Sequence, residues 1–315
     1  MNPAFSVIVF TTLAGAAQGL VVALALATLG GVALSAAFLG GSLALAFVML
    51  LGGHGASFMH LGRPERAWRA AMMWRTSWLS REVIVLPAFI GMVGLWWLAV
   101  RLEAGPAWRG ILLPLAAIAI AALLWYCTAM IYACLRFIEE WSHPLTVVNY
   151  ALTGLASGTV LCAALAAWVG EGALLRVVAP AALVVTALAG VTRALALRRN
   201  ATLKPRSTLQ SATGIAAPRL VQTSMGMSAG SFNTREFFHR ATPGAYRQIR
   251  IAGLLLLFVL PAACMLWALF SARDPAAPAP WLVAMLLQVP GLLADRWFFF
   301  AQARHPQNLY YQVVS

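Results

Sequence analysis

Eight long apolar runs constrain the fold of this chain more than any other feature of the sequence. Each run is close to the roughly 20 residues that an α-helix needs to cross a bilayer. None alternates polar and apolar residues with the period of two expected of an outer-membrane barrel. The sequence therefore predicts an all-α integral membrane protein with eight transmembrane helices in a single domain over residues 1–315, with two four-helix bundles as one arrangement open to it. The predicted spans are residues 5–29, 33–58, 83–100, 110–134, 146–169, 174–197, 251–271 and 280–301.

The composition excludes an ordinary soluble enzyme. Hydrophobic residues make up 62% of the chain and charged residues 10%, whereas soluble domains are roughly half apolar and a quarter charged. A net charge of +13 would suggest nucleic acid as the partner of a soluble protein. In a membrane protein such a charge more often marks cytoplasmic loops. We therefore expect a lipid membrane and docked proteins as partners, and no nucleic acid.

The distribution of Lys and Arg predicts the orientation of the chain. With eight spans both termini lie on one face, and 18 of the 22 Lys and Arg residues fall on that face. Cytoplasmic loops are enriched in these residues, so we expect both termini in the cytoplasm and the chain in the bacterial inner membrane. The same face carries the long connections, among them residues 198–249, which we interpret as a cytoplasmic docking segment.

Arg and Phe side chains in the long connections of this face are candidates for binding a partner protein. The 198–249 segment mixes Arg with Phe, which fits a packed or partner-bound segment better than a solvated linker. A flexible connector is the simpler alternative. The predicted docking residues are Arg66, Arg69, Arg206, Arg219, Phe232, Arg235 and Phe237.

The connection between spans two and three has the most informative local pattern. Gly62 and Pro64 are expected to end span two. The pattern of residues 64–74 predicts a short amphipathic helix. Its Trp and Met side chains would face the membrane interface, and its Arg side chains would face headgroups or a partner. Ser80 is a natural N-cap for span three, which would place Glu82 in the first turn of that helix.

His60 and Glu82 flank this connection and form the candidate site. The chain leaves and re-enters the same face, so we expect the two side chains close together at one membrane surface, with Arg63 and Arg81 beside them. A cleft there suits a quinone, whose ring enters from lipid and whose oxygens need a hydrogen-bond donor and an acceptor. His titrates near neutral pH, and Glu can pass protons to water. The alternative is that His60 and Glu82 only cap helix ends and that the Arg residues are topology signals.

Other redox and transport functions have less support in the sequence. A membrane cytochrome b needs paired His ligands on facing spans. Only His54 falls inside a span, although a His54/His143 pair stays open. The four Cys residues lie in apolar stretches without CxxC spacing, so we expect neither haem nor an iron–sulfur cluster in this chain. A transporter would favour rows of buried carboxylates or paired interrupted spans, and neither is evident.

Several motifs resemble a known family. They are HLGRPERAW from His60, WLSRE ending at Glu82, WYCTAMIYACLRFIEEW from Trp125 and RQIRIAGLLLLFVLP from Arg247. Together they resemble the membrane anchor subunit of DMSO-reductase-type complexes, the DmsC family. The resemblance implies eight helices and a quinol site without haem. It also implies a molybdopterin catalytic subunit and a ferredoxin-like iron–sulfur subunit as partners, with His60, Glu82 and Arg63 at the quinone site.

The sequence departs from the reductase anchors at two places. In the last span Leu292 occupies a position that is Glu in those anchors, and Asp295 precedes Arg296. The insert after span six resembles the variant found in anchors of cytoplasmic sulfite-oxidising complexes, the SoeC type.

We therefore predict a quinone-binding anchor, without catalysis of its own, that uses ubiquinone or menaquinone. It passes electrons between the quinone pool and a docked iron–sulfur subunit. We favour a sulfite-oxidising complex. A menaquinol-oxidising anchor of a DMSO/TMAO-type reductase is one alternative, and a membrane transporter is the alternative from another class.

Overall fold

Eight long helices dominate the structure, a computed structural model that describes residues 1–59, 61–204, 207–224, 236–271 and 277–310. Each of these helices is long and apolar enough to cross a membrane, and no described residue lies in a β-strand. The predicted all-α membrane fold with eight transmembrane helices is therefore confirmed. In chain order the helices are α1 (Phe5–Leu29), α2 (Ala36–Phe58), α3 (Trp78–Arg101), α4 (Trp108–Ala133), α5 (Pro144–Val169), α6 (Gly172–Thr202), α7 (Pro243–Phe270) and α8 (Pro278–Ala301).

One helix starts well before its apolar run, because its polar first turns are capped. α7 begins at Pro243, whereas the predicted span began at 251. The hydroxyl of Thr242 accepts a hydrogen bond from the backbone N–H of Ala245 at 3.2 Å. Pro243 occupies the first turn, where no N–H is needed. The helix thus extends beyond the hydrophobic part of the membrane towards the end of the molecule that carries the α2–α3, α4–α5 and α6–α7 connections, which we call the basic face.

α1 and α5 pack against each other at the centre of the structure. α1 also contacts α2 and α4, and α5 also contacts α6 and α8. Gly19 of α1 lies so close to Gly154 and Gly158 of α5 that a Cβ on Gly19 or Gly158 would overlap the backbone of the other helix. Small residues of this kind let transmembrane helices approach closely. The grouping of the eight helices into two four-helix bundles stays a prediction.

A proline in α7 leaves one backbone carbonyl without its helical hydrogen bond, and a side chain of the neighbouring α8 donates to that carbonyl instead. Pro261 has no N–H to donate to the carbonyl of Leu257, and the helix forms a π-helical turn over Leu255–Val259. The Nε2 of Gln288 on α8 donates to that carbonyl at 3.2 Å. Because the membrane core offers no water to an unpaired carbonyl, this bond ties α8 to the irregular part of α7.

Candidate functional site

The connection that leads into α3 exposes both its aromatic and its basic side chains. The short helix expected over 64–74 is present as a 3-10 helix over Pro64–Met73, and none of its residues is buried. Trp68 is 63% exposed and Met72 is 66% exposed. An exposed apolar and basic surface of this kind fits contact with lipid headgroups or with another protein.

The N-terminus of α3 is capped by a different serine from the one predicted. Ser77 is the N-cap, and its hydroxyl accepts from the backbone N–H of Ser80 at 3.4 Å. Ser80 itself lies inside the helix and is buried. The prediction that Ser80 caps the helix is therefore wrong, and Glu82 lies in the second turn of α3 rather than in the first.

Glu82 points into the helix bundle. Its side chain is buried at 6% exposure and accepts a short hydrogen bond from the hydroxyl of Thr128 on α4. Ion pairs within the described residues join Arg66 to Glu65 and Arg193 to Asp295, and neither pair involves Glu82. Among the described residues, the Thr128 hydroxyl is the one hydrogen-bond partner of this carboxyl group. The group is a candidate for function, because burying an ionisable group inside a membrane bundle is costly.

Arg81 lies next to Glu82 in sequence but in a different environment. Its guanidinium stacks 4.0 Å over the ring of Trp78. It also donates to the carbonyls of Trp74 and Arg75, both at 2.9 Å. Arg81 therefore fastens the end of the connection to the first turn of α3. It determines where the chain enters the helix that carries Glu82.

The structure locates three of the four residues predicted for the quinone site. Arg81 and Glu82 share one turn of α3, while Arg63 is exposed at the start of the 3-10 helix. The described side-chain hydrogen bonds of Arg81 are with the connection, and that of Glu82 is with α4. His60 lies outside the described residues, so its distance from Glu82 stays a prediction.

The residues predicted to dock a partner fall into three groups. Arg66, Arg69 and Arg219 are exposed. Phe237 is half-buried against this chain's own C-terminal segment. Its ring stacks on His305 with 3.8 Å between centroids, and its carbonyl accepts from Asn308 at 3.1 Å. The third group, Arg206, Phe232 and Arg235, lies outside the described residues.

A buried ion pair joins α6 to α8 and was missed in the sequence. Nε of Arg193 lies 2.6 Å from Oδ1 of Asp295, and both side chains are almost fully buried. Arg193 is one of the 18 Lys and Arg residues counted for the basic face, although it lies within the predicted span 174–197. An ionisable residue inside an apolar run was the signal that could have revealed this pair.

Arg296, next to Asp295, is a second buried arginine. It is 4% exposed, and its guanidinium lies 4.0 Å over the ring of Tyr150 on α5. Among the described residues, its Nε has no hydrogen-bond partner. A cation–π contact stabilises such a group only in part, so its Nε–H remains available to donate to water.

Two small cavities lie on either side of Tyr150 and Arg296, and both residues line both cavities. The inner cavity has a volume of about 10 Å³, and the outer cavity about 20 Å³, so each has room for about one water. Polar residues around the inner cavity include Thr11, Gln18, Trp125 and Thr128. Those around the outer cavity include Glu140, Asn149, Arg193 and Asp295.

A third and much larger cavity opens at the basic face. This surface cleft has a volume of about 560 Å³ and is formed by the α4–α5 connection, the residues after α6 and the C-terminal segment. Its charged lining includes Arg136, Glu139, Glu140, Lys204 and Arg304. Glu140 therefore lines both the outer cavity and the surface cleft.

The two histidines left open as a pair of haem ligands have local partners. His143 is the N-cap of α5, where its Nδ1 accepts from the backbone N–H of Leu145 at 3.1 Å. His54 packs edge-on against Phe58 within α2. No group of three or more His, Cys, Asp or Glu side chains that could hold a metal ion occurs in the described ranges.

Comparison with known proteins places the chain in a family. A family model described as DMSO reductase anchor subunit (DmsC) matches residues 1–302. The C subunit of the sulfite dehydrogenase of Allochromatium vinosum is 44% identical over 337 aligned residues, which cover 100% of both chains. Anaerobic dimethyl sulfoxide reductase chain YnfH of Escherichia coli is 33% identical over 121 residues, which cover 38% of this chain and 42% of that one. The resemblance noted in the sequence is thus confirmed, and the chain, a multi-pass membrane protein, belongs to the DMSO reductase anchor subunit (DmsC) family.

Proposed function

We propose that this chain is the quinone-reactive anchor of a molybdopterin oxidoreductase complex. It would pass electrons between the membrane quinone pool and an iron–sulfur subunit docked on the basic face. The observation that carries the proposal is the buried carboxyl of Glu82, held by Thr128 near the end of α3. A quinone exchanges two electrons and two protons when it turns over, and a positioned carboxyl is suited to the proton part of that exchange.

The residues around the α2–α3 connection fit a quinone that arrives from lipid. Phe58, Met59, Leu61 and Leu79 are all more than a third exposed, so apolar side chains surround the approach to the start of α3. The inner cavity beside Thr128 has room for about one water and is far too small for a quinone ring. We therefore place the ring on the side of the connection, with His60 and Glu82 as the proposed hydrogen-bonding residues and with Arg63 and Arg81 shaping the connection.

The proposed partner of the basic face is a ferredoxin-like iron–sulfur subunit, which in turn carries the molybdopterin subunit. Arg66 and Arg69 are exposed beside the proposed quinone site, and Arg219 is exposed in the segment after α6. An acidic surface would find complementary charge there. The proposal also puts the basic face and both termini in the cytoplasm of a bacterium, supported by the concentration of Lys and Arg at that face.

We favour sulfite as the substrate of the catalytic subunit, with quinone as the acceptor of its electrons. The support is the match over the full length of both chains to a protein named as the C subunit of a sulfite dehydrogenase. The runner-up is an anchor that oxidises menaquinol for a DMSO-type reductase. It is supported by the family description and by the partial match to a dimethyl sulfoxide reductase chain.

The test is turnover of the purified complex with two kinds of electron acceptor. Glu82→Gln and His60→Ala should abolish sulfite oxidation with a soluble quinone analogue but leave activity with a dye that reacts directly with the soluble subunits. Glu65→Gln is a matched control, because Glu65 is an exposed glutamate in the same connection. Quinone turnover that survives both variants would place the site elsewhere. Turnover of DMSO but not of sulfite would favour the runner-up.

Docking has a separate test. Deleting residues 205–235 should release the soluble subunits from the membrane fraction. If they stay attached, the proposed role of this segment is wrong. Replacing Arg66 and Arg69 together by Ala should then show whether the α2–α3 connection holds the partner.

A further inference from the structure

We propose that Glu82 exchanges protons with the basic face through an internal route that runs over Thr128, the inner cavity, the outer cavity and Glu140. This inference rests on the proposed function, because it takes Glu82 as the group that serves the quinone. The new element is the path by which protons reach Glu82 or leave it.

The first link of the route is Thr128. Its hydroxyl donates to a carboxyl oxygen of Glu82 and also lines the inner cavity. A hydroxyl can accept one proton as it donates another, so it can connect a carboxyl to a water. Thr128 is therefore the point at which Glu82 meets the interior of the bundle.

The second link is water in the inner cavity. The cavity has room for about one water. Two of its lining groups, Nε1 of Trp125 and Nε of Arg296, are buried without a hydrogen-bond partner among the described residues. Buried polar atoms of this kind are normally satisfied by ordered water. The inner cavity is thus a polar site rather than a packing defect.

The third link is the shared boundary between the two cavities. Tyr150 and Arg296 line both, so these two side chains lie between the two cavities. The guanidinium of Arg296 cannot give up its proton in a protein. Protons therefore pass over water and over the hydroxyl of Tyr150, while Arg296 fixes the orientation of the waters by donating to them.

The exit of the route is Glu140. This half-buried carboxylate lines the outer cavity and the surface cleft, and it accepts from the backbone N–H of Arg304 at 3.4 Å. The cleft is wide and lies at the basic face. Protons that reach Glu140 from the interior are therefore delivered to bulk water, and protons from water can enter at the same place.

The position of the exit explains why an internal route is useful. The direct way from Glu82 to water passes the α2–α3 connection, which is the surface proposed to be covered by the iron–sulfur subunit. The route emerges instead between the α4–α5 connection and the C-terminal segment. Reduction of one quinone takes two electrons from the iron–sulfur subunit and two protons from the protein, and each proton that Glu82 gives is replaced through this route. Oxidation of a quinol runs the same balance in reverse.

The experiment uses Thr128→Val and Glu140→Gln in the assembled complex. Thr128→Val keeps the shape of the side chain and removes the hydroxyl. Thr186→Val is its control, because Thr186 is fully buried on α6 and lines none of the three cavities. Glu139→Gln is the control for Glu140, because Glu139 lines the surface cleft but not the outer cavity.

We expect each test variant to lower kcat with quinone by about tenfold or more, with KM for quinone and dye activity unchanged. A small weak acid such as acetate, added at constant pH, should restore part of the loss. Independently of turnover, the carboxyl band of Glu82 in the infrared spectrum, identified by its absence in Glu82→Gln, should exchange with deuterium about tenfold more slowly in both variants.

Three outcomes would overturn the route. They are kcat within twofold of the unmodified complex in either variant, a rise in KM in place of the fall in kcat, or an equal loss in the two controls. Failure of the proposed function looks different, since Glu82→Gln would then retain quinone turnover whatever the route variants do.

Discussion

The buried ion pair between Arg193 and Asp295 gives the sharpest test of how the interior is held together. Nε and Oδ1 are 2.6 Å apart, and the side chains are 4% and 10% exposed. With an effective dielectric constant of about 20, unit charges at this separation attract by about 6 kcal/mol. Removing both charges from water offsets much of this attraction, so the pair has little net advantage over a well-packed apolar pair. The loss of one partner is a different matter.

We expect Asp295→Leu to lower the free energy of unfolding by about 3–5 kcal/mol, because it leaves the guanidinium of Arg193 buried without a carboxylate. Arg193→Met should lower the free energy of unfolding by a similar amount, because it leaves the carboxylate of Asp295 buried without its guanidinium partner. The double variant should cost less than either single variant, since no unpaired charge is then left at this place.

The measurement is a double-mutant cycle on the purified protein in detergent, with unfolding followed by denaturant titration. Thr186→Val serves as a control for a buried change on α6 that touches no charge. Costs that add across the cycle would show that the two side chains are independent. A single Asp295→Leu variant as stable as the unmodified protein would refute the reasoning altogether.

Three further predictions concern packing, helix geometry and pH. Gly158→Ala should destabilise the protein by about 1–3 kcal/mol in the same unfolding assay, because its methyl group has no room against α1, whereas Gly91→Ala, which meets nothing within 4 Å, should not. Gln288→Leu should cost about 1–3 kcal/mol, because it leaves a carbonyl in the π-helical turn of α7 unpaired, and an unchanged stability would contradict that role. Burial lowers the pKa of His305 below its usual value, so the unfolded state binds more protons just below about pH 6.5 and the contact with Phe237 should weaken as pH falls through that range. Hydrogen exchange in residues 236–242 should therefore increase between pH 7.5 and 5.5 after correction for intrinsic rates, and His305→Phe should remove the pH dependence.

The transmembrane helices could be predicted because each depends on a local property of the chain. An apolar run of bilayer length has few folds open to it, and the structure has eight such helices. The end of a helix is less certain when two residues offer the same cap. Ser77 and Ser80 both precede apolar sequence, and Ser77 is the N-cap because the connection, fastened by Arg81 to two of its own carbonyls, turns into the helix at that point.

The interior polar groups could not be predicted in the same way, because each depends on residues far apart in the chain. Glu82 was selected as a site residue, but its partner Thr128 is 46 residues away on α4. Arg193 and Asp295 are separated by 102 residues, and no local pattern joins them. Arg193 and Arg296 are among the 18 Lys and Arg residues that the charge distribution places on the basic face. Arg193 and Arg296 do lie towards the ends of α6 and α8 that face this side. The charge distribution did not reveal that both side chains are buried.

The central position of α1 has a consequence for the synthesis of this protein. α1 is made before α5, so the glycine surface through which it meets α5 has no partner until Pro144–Val169 has been made. Leu29 and Val169 are 140 residues apart, which corresponds to roughly 7 to 28 s of translation at ordinary rates. During that time the surface faces lipid, the translocon or an insertion chaperone. The core of the finished protein is thus closed late, by a helix that is made after α2, α3 and α4.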